Sequence, residues 1–199
     1  MDSLHTEIVP EQSSDQQQPT QGGARRMILD VLETLILSVV LFLGINAISA
    51  RIRVESISMQ PNLYAGDFVI VNKLAYKLGV PRRGDIIVFR YPPDPTQTPY
   101  IKRVIGLPGD KIHIADGQVY VNNELLIEPY LNVTTSRGGD WTIPANSLFV
   151  MGDNRNNSSD SRSWGMVPME NVIGKGLVIY WPPKDWAVLH MASAVAADP

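Results

Sequence analysis

Residues 31–50 constrain this chain more than any other feature. The run Leu35-Ile36-Leu37-Ser38-Val39-Val40-Leu41-Phe42-Leu43-Gly44-Ile45 carries no charge, and Glu33 is the only charged residue from 31 to 50. A helix needs roughly 20 such residues to cross the hydrocarbon core of a bilayer. Glu33 falls near one end, where the headgroup region tolerates an ionised group. A cleaved secretory leader is the competing reading, with Arg25 and Arg26 as its basic start and Ala47-Ile48-Ser49 as a small-residue exit. On that reading the mature protein is soluble and secreted. The apolar run is long for a leader and the polar stretch before it is extended, which favours a retained anchor spanning residues 27–50. Flanking charge does not orient the segment, because Arg25 and Arg26 on one side face Arg51 and Arg53 on the other.

Residues 1–26 are polar, with the run Gln16-Gln17-Gln18-Pro19-Thr20-Gln21, and hold too few large apolar groups to fold; a disordered tail is expected. Beyond Arg51 the apolar period becomes two. Stretches 67–72, 85–90, 111–115, 118–122, 148–151 and 177–181 are rich in Val, Ile, Phe and Tyr and read as strands. Asp116-Gly117 between two of them predicts a tight hairpin, since Gly supplies positive φ. Residues 73–78 predict one helical turn or two, and no long helical stripe follows the anchor. The fold class is mainly β: an all-β domain over 51–186 on one membrane helix, with a C-terminal tail at 187–199.

With 199 residues there is room for one substantial domain, and a net charge of −3 offers no basic surface for nucleic acid. Cysteine is absent, which removes thiol nucleophiles, disulfides and thiolate metal sites. The three histidines are His5 in the polar tail, His190 in the Ala-rich C-terminal tail, and His113 alternating with Ile112 and Ile114 in a hairpin, a partly exposed strand position. A Ser-His-Asp triad is therefore not expected. A hydrolase would need Ser or Thr as nucleophile and a base other than His. A lysine can serve where burial among apolar neighbours lowers its pKa. Of six lysines, Lys102 in Tyr100-Ile101-Lys102-Arg103-Val104-Ile105 has the most apolar setting, although a snorkelling strand lysine would look the same. Ser56 and Ser58 follow the anchor closely. The loop Gly152-Asp153-Asn154-Arg155-Asn156-Asn157-Ser158-Ser159-Asp160-Ser161-Arg162 is dense in polar groups, but its spacing does not fit an EF-hand. No metal and no other cofactor is expected.

These segments together resemble the bacterial type I signal peptidases. The resemblance runs through Ser56-Ile57-Ser58-Met59-Gln60-Pro61-Asn62-Leu63, then Gly66-Asp67 and Arg83-Gly84-Asp85-Ile86-Ile87-Val88-Phe89. It continues in Tyr100-Ile101-Lys102-Arg103-Val104-Ile105-Gly106-Leu107-Pro108-Gly109-Asp110 and in Gly152-Asp153-Asn154-Arg155 through Arg162, with Trp164-Gly165 and Val167-Pro168. It covers the chain from the anchor to about Trp181.

The resemblance implies a β-rich catalytic core (51–110 and 148–186) with a small β insertion (111–147). It implies Ser58 as nucleophile and Lys102 as general base, a serine–lysine form of the triad logic. Ser158 would orient the Lys102 amine, the Ser58 N–H and the Ser56 hydroxyl would form the oxyanion hole, and Asp160 and Arg162 a supporting ion pair. Val54, Met59 and Ile101 are expected as apolar groove walls. The implied partners are signal peptides of exported preproteins, cut after Ala-x-Ala, and the lipid bilayer. The implied location is the bacterial cell membrane, with the N-terminus cytoplasmic and the catalytic domain outside. Trp181 and Trp186 are either interfacial or ordinary loop aromatics. The chain departs from the family's usual pattern at Glu55, where Pro is common, and at Ile57, where Gly is common. A non-catalytic tethered β-domain and a self-cleaving repressor-type protein are the rival readings. The second would need a DNA-binding module where this chain has its apolar span.

Overall fold

The computed structural model describes residues 21–131, 133–189 and 194–195. The chain divides into two units, residues 1–43 and 44–199. Helix α1 (Gln21–Ile48) carries its charges at residues 25–33 and is mainly apolar beyond them, and an 18-residue window within its segment Gly23–Ile48 has a mean hydropathy of 2.4 with none of it buried. At 1.5 Å per residue this segment measures about 39 Å, more than the ~30 Å of a bilayer core. It is long and apolar enough to cross a membrane. Residues 21–26 are helical rather than part of a polar tail, while residues 1–20, including His5, lie outside the described residues.

Beyond α1 the domain is built from antiparallel strands. β1 (Ser49–Arg53), β2 (Phe68–Asn72), β3 (Ile86–Phe89) and β4 (Tyr100–Gly106) come first. β5 (Lys111–Ala115), β6 (Gln118–Val121), β7 (Glu124–Ile127) and β8 (Gly139–Thr142) follow. β9 (Ser147–Met151), the one-turn helix α2 (Ser161–Trp164), β10 (Val167–Pro168), β11 (Val172–Trp181), β12 (Ala187–Val188) and β13 (Ala194–Val195) complete the order. The larger sheet runs β1-β2-β11-β3-β4-β9-β10 with β12 on β11, and the smaller runs β13-β7-β6-β5-β8. The mainly β expectation is borne out. The chain changes sheet between β4 and β5 and returns to the larger sheet at β9. The expected C-terminal tail contributes β12 and β13; His190 lies outside the described residues.

Side-chain patterning explains the layers. In β2, Val69 and Val71 are fully buried while the alternate residues are partly exposed. β3 is buried on both faces: Ile86 and Val88 join one core cluster, Ile87 and Phe89 another. That is why its sequence is a continuous apolar run. A third cluster, including Ile105, Ile112, Ile114, Phe149 and Met151, joins residues of the two sheets. At the β5–β6 hairpin, Asp116 (φ 50°) and Gly117 (φ 79°) both adopt positive φ, as a type I′ turn requires. Residues 73–78 make a single turn, with the Lys77 and Leu78 amides donating to the Leu74 carbonyl.

Candidate active site

The chain leaves β1 and doubles back before β2 through a loop with a closed neck. The Val54 amide donates to the Asp67 carbonyl and the Gly66 amide to the Val54 carbonyl, both at 2.8 Å. Within the loop one helical turn forms at Met59–Leu63, where the Leu63 amide donates to the Met59 carbonyl at 2.9 Å, and both side chains are fully buried. These anchors fix Ser58, which is 6% exposed. Lys102 projects from the middle of β4, in register with Ile87 of β3, and is 3% exposed. Its Nζ lies 2.7 Å from Ser58 Oγ and donates to the Ile101 carbonyl at 3.1 Å. Ser56 Oγ stands 3.0 Å from Ser58 Oγ. Among the described residues the Ser58 amide donates no hydrogen bond.

Burial lowers the Lys102 pKa from 10.5 to about 8, against the opposing pull of Asp160 and Asp153. Both carboxylates are fully buried and already paired. Arg103 reaches Asp153 with Nε (2.8 Å) and an amino nitrogen (2.7 Å), and Arg162 reaches Asp160 at the same two distances. A carboxylate held by a guanidinium fork pulls less on a neighbouring ammonium than a free one, so desolvation prevails. An amine that sheds its proton near pH 8, rather than near 10.5, and lies within reach of a hydroxyl can accept that hydroxyl's proton, and so can activate a serine for acyl transfer.

The loop at 152–162 closes the site. Asp160 accepts from the Gly152 amide (3.1 Å) and caps α2 by accepting from the Arg162 amide (3.3 Å). The Asn154 amide donates to the Ser58 carbonyl (2.9 Å) and its side-chain nitrogen to the Ile57 carbonyl (3.1 Å). Gly152 is required by close approach: a Cβ there would stand 2.2 Å from Ser158 Oγ and 2.4 Å from the Ser58 carbonyl oxygen. A groove of about 280 Å³ opens beside Ser58, lined by residues 52–58 and 98–102 together with Asn157 and Ser159.

Comparison with known proteins assigns the chain to a family. Residues 27–181 match the family described as signal peptidase, peptidase S26. The chain belongs to that family. It is 41% identical over 191 residues to a signal peptidase I of Leptolyngbya laminosa, covering 92% of this chain and 94% of that protein. It is 38% identical over 182 residues to a probable signal peptidase I-2 of Synechocystis, covering 88% and 81%. A crystal structure of a signal peptidase I from Enterococcus faecalis is similar at 35% identity and TM-score 0.42, covering 48% of this chain and 95% of that one.

In this signal peptidase family member the structure brings Ser56, Ser58 and Lys102 together, with Asp160 and Arg162 as a buried pair behind them. Ser158 differs from the expectation. Its Oγ is buried and makes no hydrogen bond, lying instead against Gly152. Val54 and Ile101 line the groove. Met59 does not: it is wholly buried in the core beneath Ser58, because the helical turn at 59–63 points it inward. Trp181 and Trp186 are 54% and 68% exposed. His113 is half-exposed and hydrogen-bonds Asp140 at 2.7 Å.

Sequence reasoning missed a layer of buried charge around the loop. Arg103, Asp153, Arg155 and Glu128 are all buried or nearly so, and Tyr130 lays its ring over the Arg103 guanidinium at 3.9 Å. Charges read from sequence are assigned to solvent by default. The signal available was that Arg103, Asp153 and Arg155 each lie within the motifs that hold Lys102 and Ser158.

Proposed function

We propose that this enzyme is a membrane-anchored serine endopeptidase that removes signal peptides from exported preproteins, with Ser58 as nucleophile and Lys102 as general base. The observation that carries this reading is the 2.7 Å contact between Ser58 Oγ and a buried Lys102 amine whose pKa falls to about 8. An extended signal peptide lies in the groove as an added strand, with backbone hydrogen bonds supplying affinity. Val54 and Ile101 favour small, Ala-like side chains at the first and third positions before the cut. Ser58 Oγ attacks the scissile carbonyl as Lys102 Nζ takes its proton. The unpaired Ser58 amide and the Ser56 hydroxyl donate to the developing oxyanion. Lys102 then protonates the departing amine, an ester forms on Ser58, and the neutral amine activates the water that hydrolyses it.

The buried, unpartnered Ser158 hydroxyl is the uncharged group this reading assigns to steady the Lys102 amine, since a neutral partner lacks the pull of a carboxylate on its pKa. Helix α1 holds the domain at the bacterial cell membrane, with the N-terminus cytoplasmic and the catalytic domain outside. The test is cleavage of a preprotein by full-length enzyme in detergent. Ser58→Ala and Lys102→Ala are each expected to lose nearly all activity while remaining folded. Full activity in either would refute the dyad.

A further inference from the structure

Three buried guanidiniums surround the loop beside Ser58, and two of them find their carboxylates locally. Arg162 pairs with Asp160 two residues away, and Arg103 of β4 pairs with Asp153 at the exit of β9. The third, Arg155, is 2% exposed, and its carboxylate comes from the other sheet: Glu128, just past β7. Arg155 meets Glu128 with both amino nitrogens, one to each carboxylate oxygen, and the Tyr130 hydroxyl donates to the same carboxylate at 2.5 Å.

From Arg155 the contacts lead inward. Its Nε donates to the Gly152 carbonyl at 3.2 Å, and its own carbonyl accepts from Arg162 at 2.7 Å. Gly152 therefore has its carbonyl held by Arg155 and its amide held by Asp160. It is also the residue packed against both the Ser158 hydroxyl and the Ser58 carbonyl. The stretch after β7 that carries Glu128 is held near the loop at further points. Asn62 donates to both the Tyr130 carbonyl (3.2 Å) and Asp153 (2.9 Å), and Ser136 donates from amide and hydroxyl to Asn156.

We infer that Glu128 is a positioning residue for the reaction: through Arg155 and Gly152 it sets where the Ser58 backbone and the Ser158 hydroxyl stand, so that the β insertion is part of the catalytic apparatus. The inference rests on the serine–lysine reading above. Without Glu128, Arg155 is a buried cation lacking its counter-charge, and it must leave Gly152 to reach water. Misplacement of reacting groups by about 1 Å can lower rates on the order of a hundredfold. Substrate binding in the groove is untouched, because Glu128 does not line it.

The test uses the full-length enzyme in detergent with a synthetic signal-peptide substrate bearing Ala at the first and third positions before the cut. Steady-state kinetics and thermal unfolding are measured for Glu128→Ala, Glu128→Asp and Ile114→Ala; the last weakens the apolar cluster between the sheets without removing a charged group. Glu128→Ala is expected to lower kcat at least about tenfold with KM within about twofold. Glu128→Asp should recover part of that loss, and Ile114→Ala should lower Tm while leaving kcat of the folded enzyme near wild type. Folded Glu128→Ala with kcat within twofold of wild type would overturn the inference. So would a loss confined to KM, or an equal fall in kcat for Ile114→Ala. A Ser58→Ala arm separates the two levels: if it retains activity the serine–lysine reading fails, whereas an inactive Ser58→Ala beside a normal Glu128→Ala removes only the role of Glu128.

Discussion

Lys102 is where burial and chemistry conflict. The folded chain releases its ammonium proton near pH 8, while an ordinary lysine keeps it to 10.5. Two consequences follow with opposite effects. For activity, the proposed mechanism makes the neutral amine the working form, so kcat/KM should rise through about pH 8 and fall roughly tenfold per pH unit below it. A profile flat from about pH 5 to 9, with chemistry limiting, would exclude a lysine base. For stability, the unfolded chain holds one more proton between about 8 and 10.5, so wild-type stability rises with pH across that window. Below it the full penalty stands, on the order of 3 kcal/mol at most. Lys102→Met should therefore unfold at higher urea than wild type at neutral pH, with the gap closing as pH rises through that window. A variant less stable than wild type at neutral pH would contradict this account.

At the scale of elements, the loop between β9 and α2 is held by buried ion pairs rather than by regular structure. Asp160 pairs with Arg162, caps α2 and accepts from the Gly152 amide. Asp160→Asn leaves Arg162 buried beside a neutral amide, and a loss of about 3 kcal/mol in urea unfolding at pH 7 is expected. Asp185→Asn, which breaks the exposed 3.8 Å pair with Lys184, should change stability by less than about 0.5 kcal/mol. Equal effects would mean that burial is not what gives the Asp160 pair its weight. This contrast also marks what was legible in the sequence. Strands with plain alternation or a β-branched run, such as β2, β3, β5 and β6, announce themselves. β1 is hidden because it continues directly from the apolar helix, β8 because it is polar and begins with Gly, and β11 because its first half carries two glycines and a lysine. Composition narrowed a hydrolase's options to a hydroxyl nucleophile with a base other than His, leaving several lysines in play, and only the ordered motifs pointed to Lys102. The Glu128–Arg155 pair was beyond reach, because nothing local distinguishes a buried Glu from a solvated one until the two sheets are brought together.

For the whole molecule, a helix long and apolar enough to cross a bilayer precedes a β domain that assembles its candidate site from distant segments. Residues near 58, 102, 128 and 155 come from segments of both sheets and the loops between them. Helix α1 predicts that full-length enzyme stays with membranes after carbonate washing, and that Leu37→Lys with Leu41→Lys releases it, since each mid-helix lysine opposes insertion by roughly 3 kcal/mol. Recovery of the unaltered chain in the wash would contradict an anchor. The central claim, that Lys102 activates Ser58 as the attacking group, is tested most directly by trapping the ester. Full-length enzyme is mixed with a signal-peptide ester, quenched in acid, and mapped by mass spectrometry. The acyl group is expected on Ser58 in wild type and absent in Lys102→Ala. An acyl group on another residue, or equal labelling of Ser58 without Lys102, would contradict it.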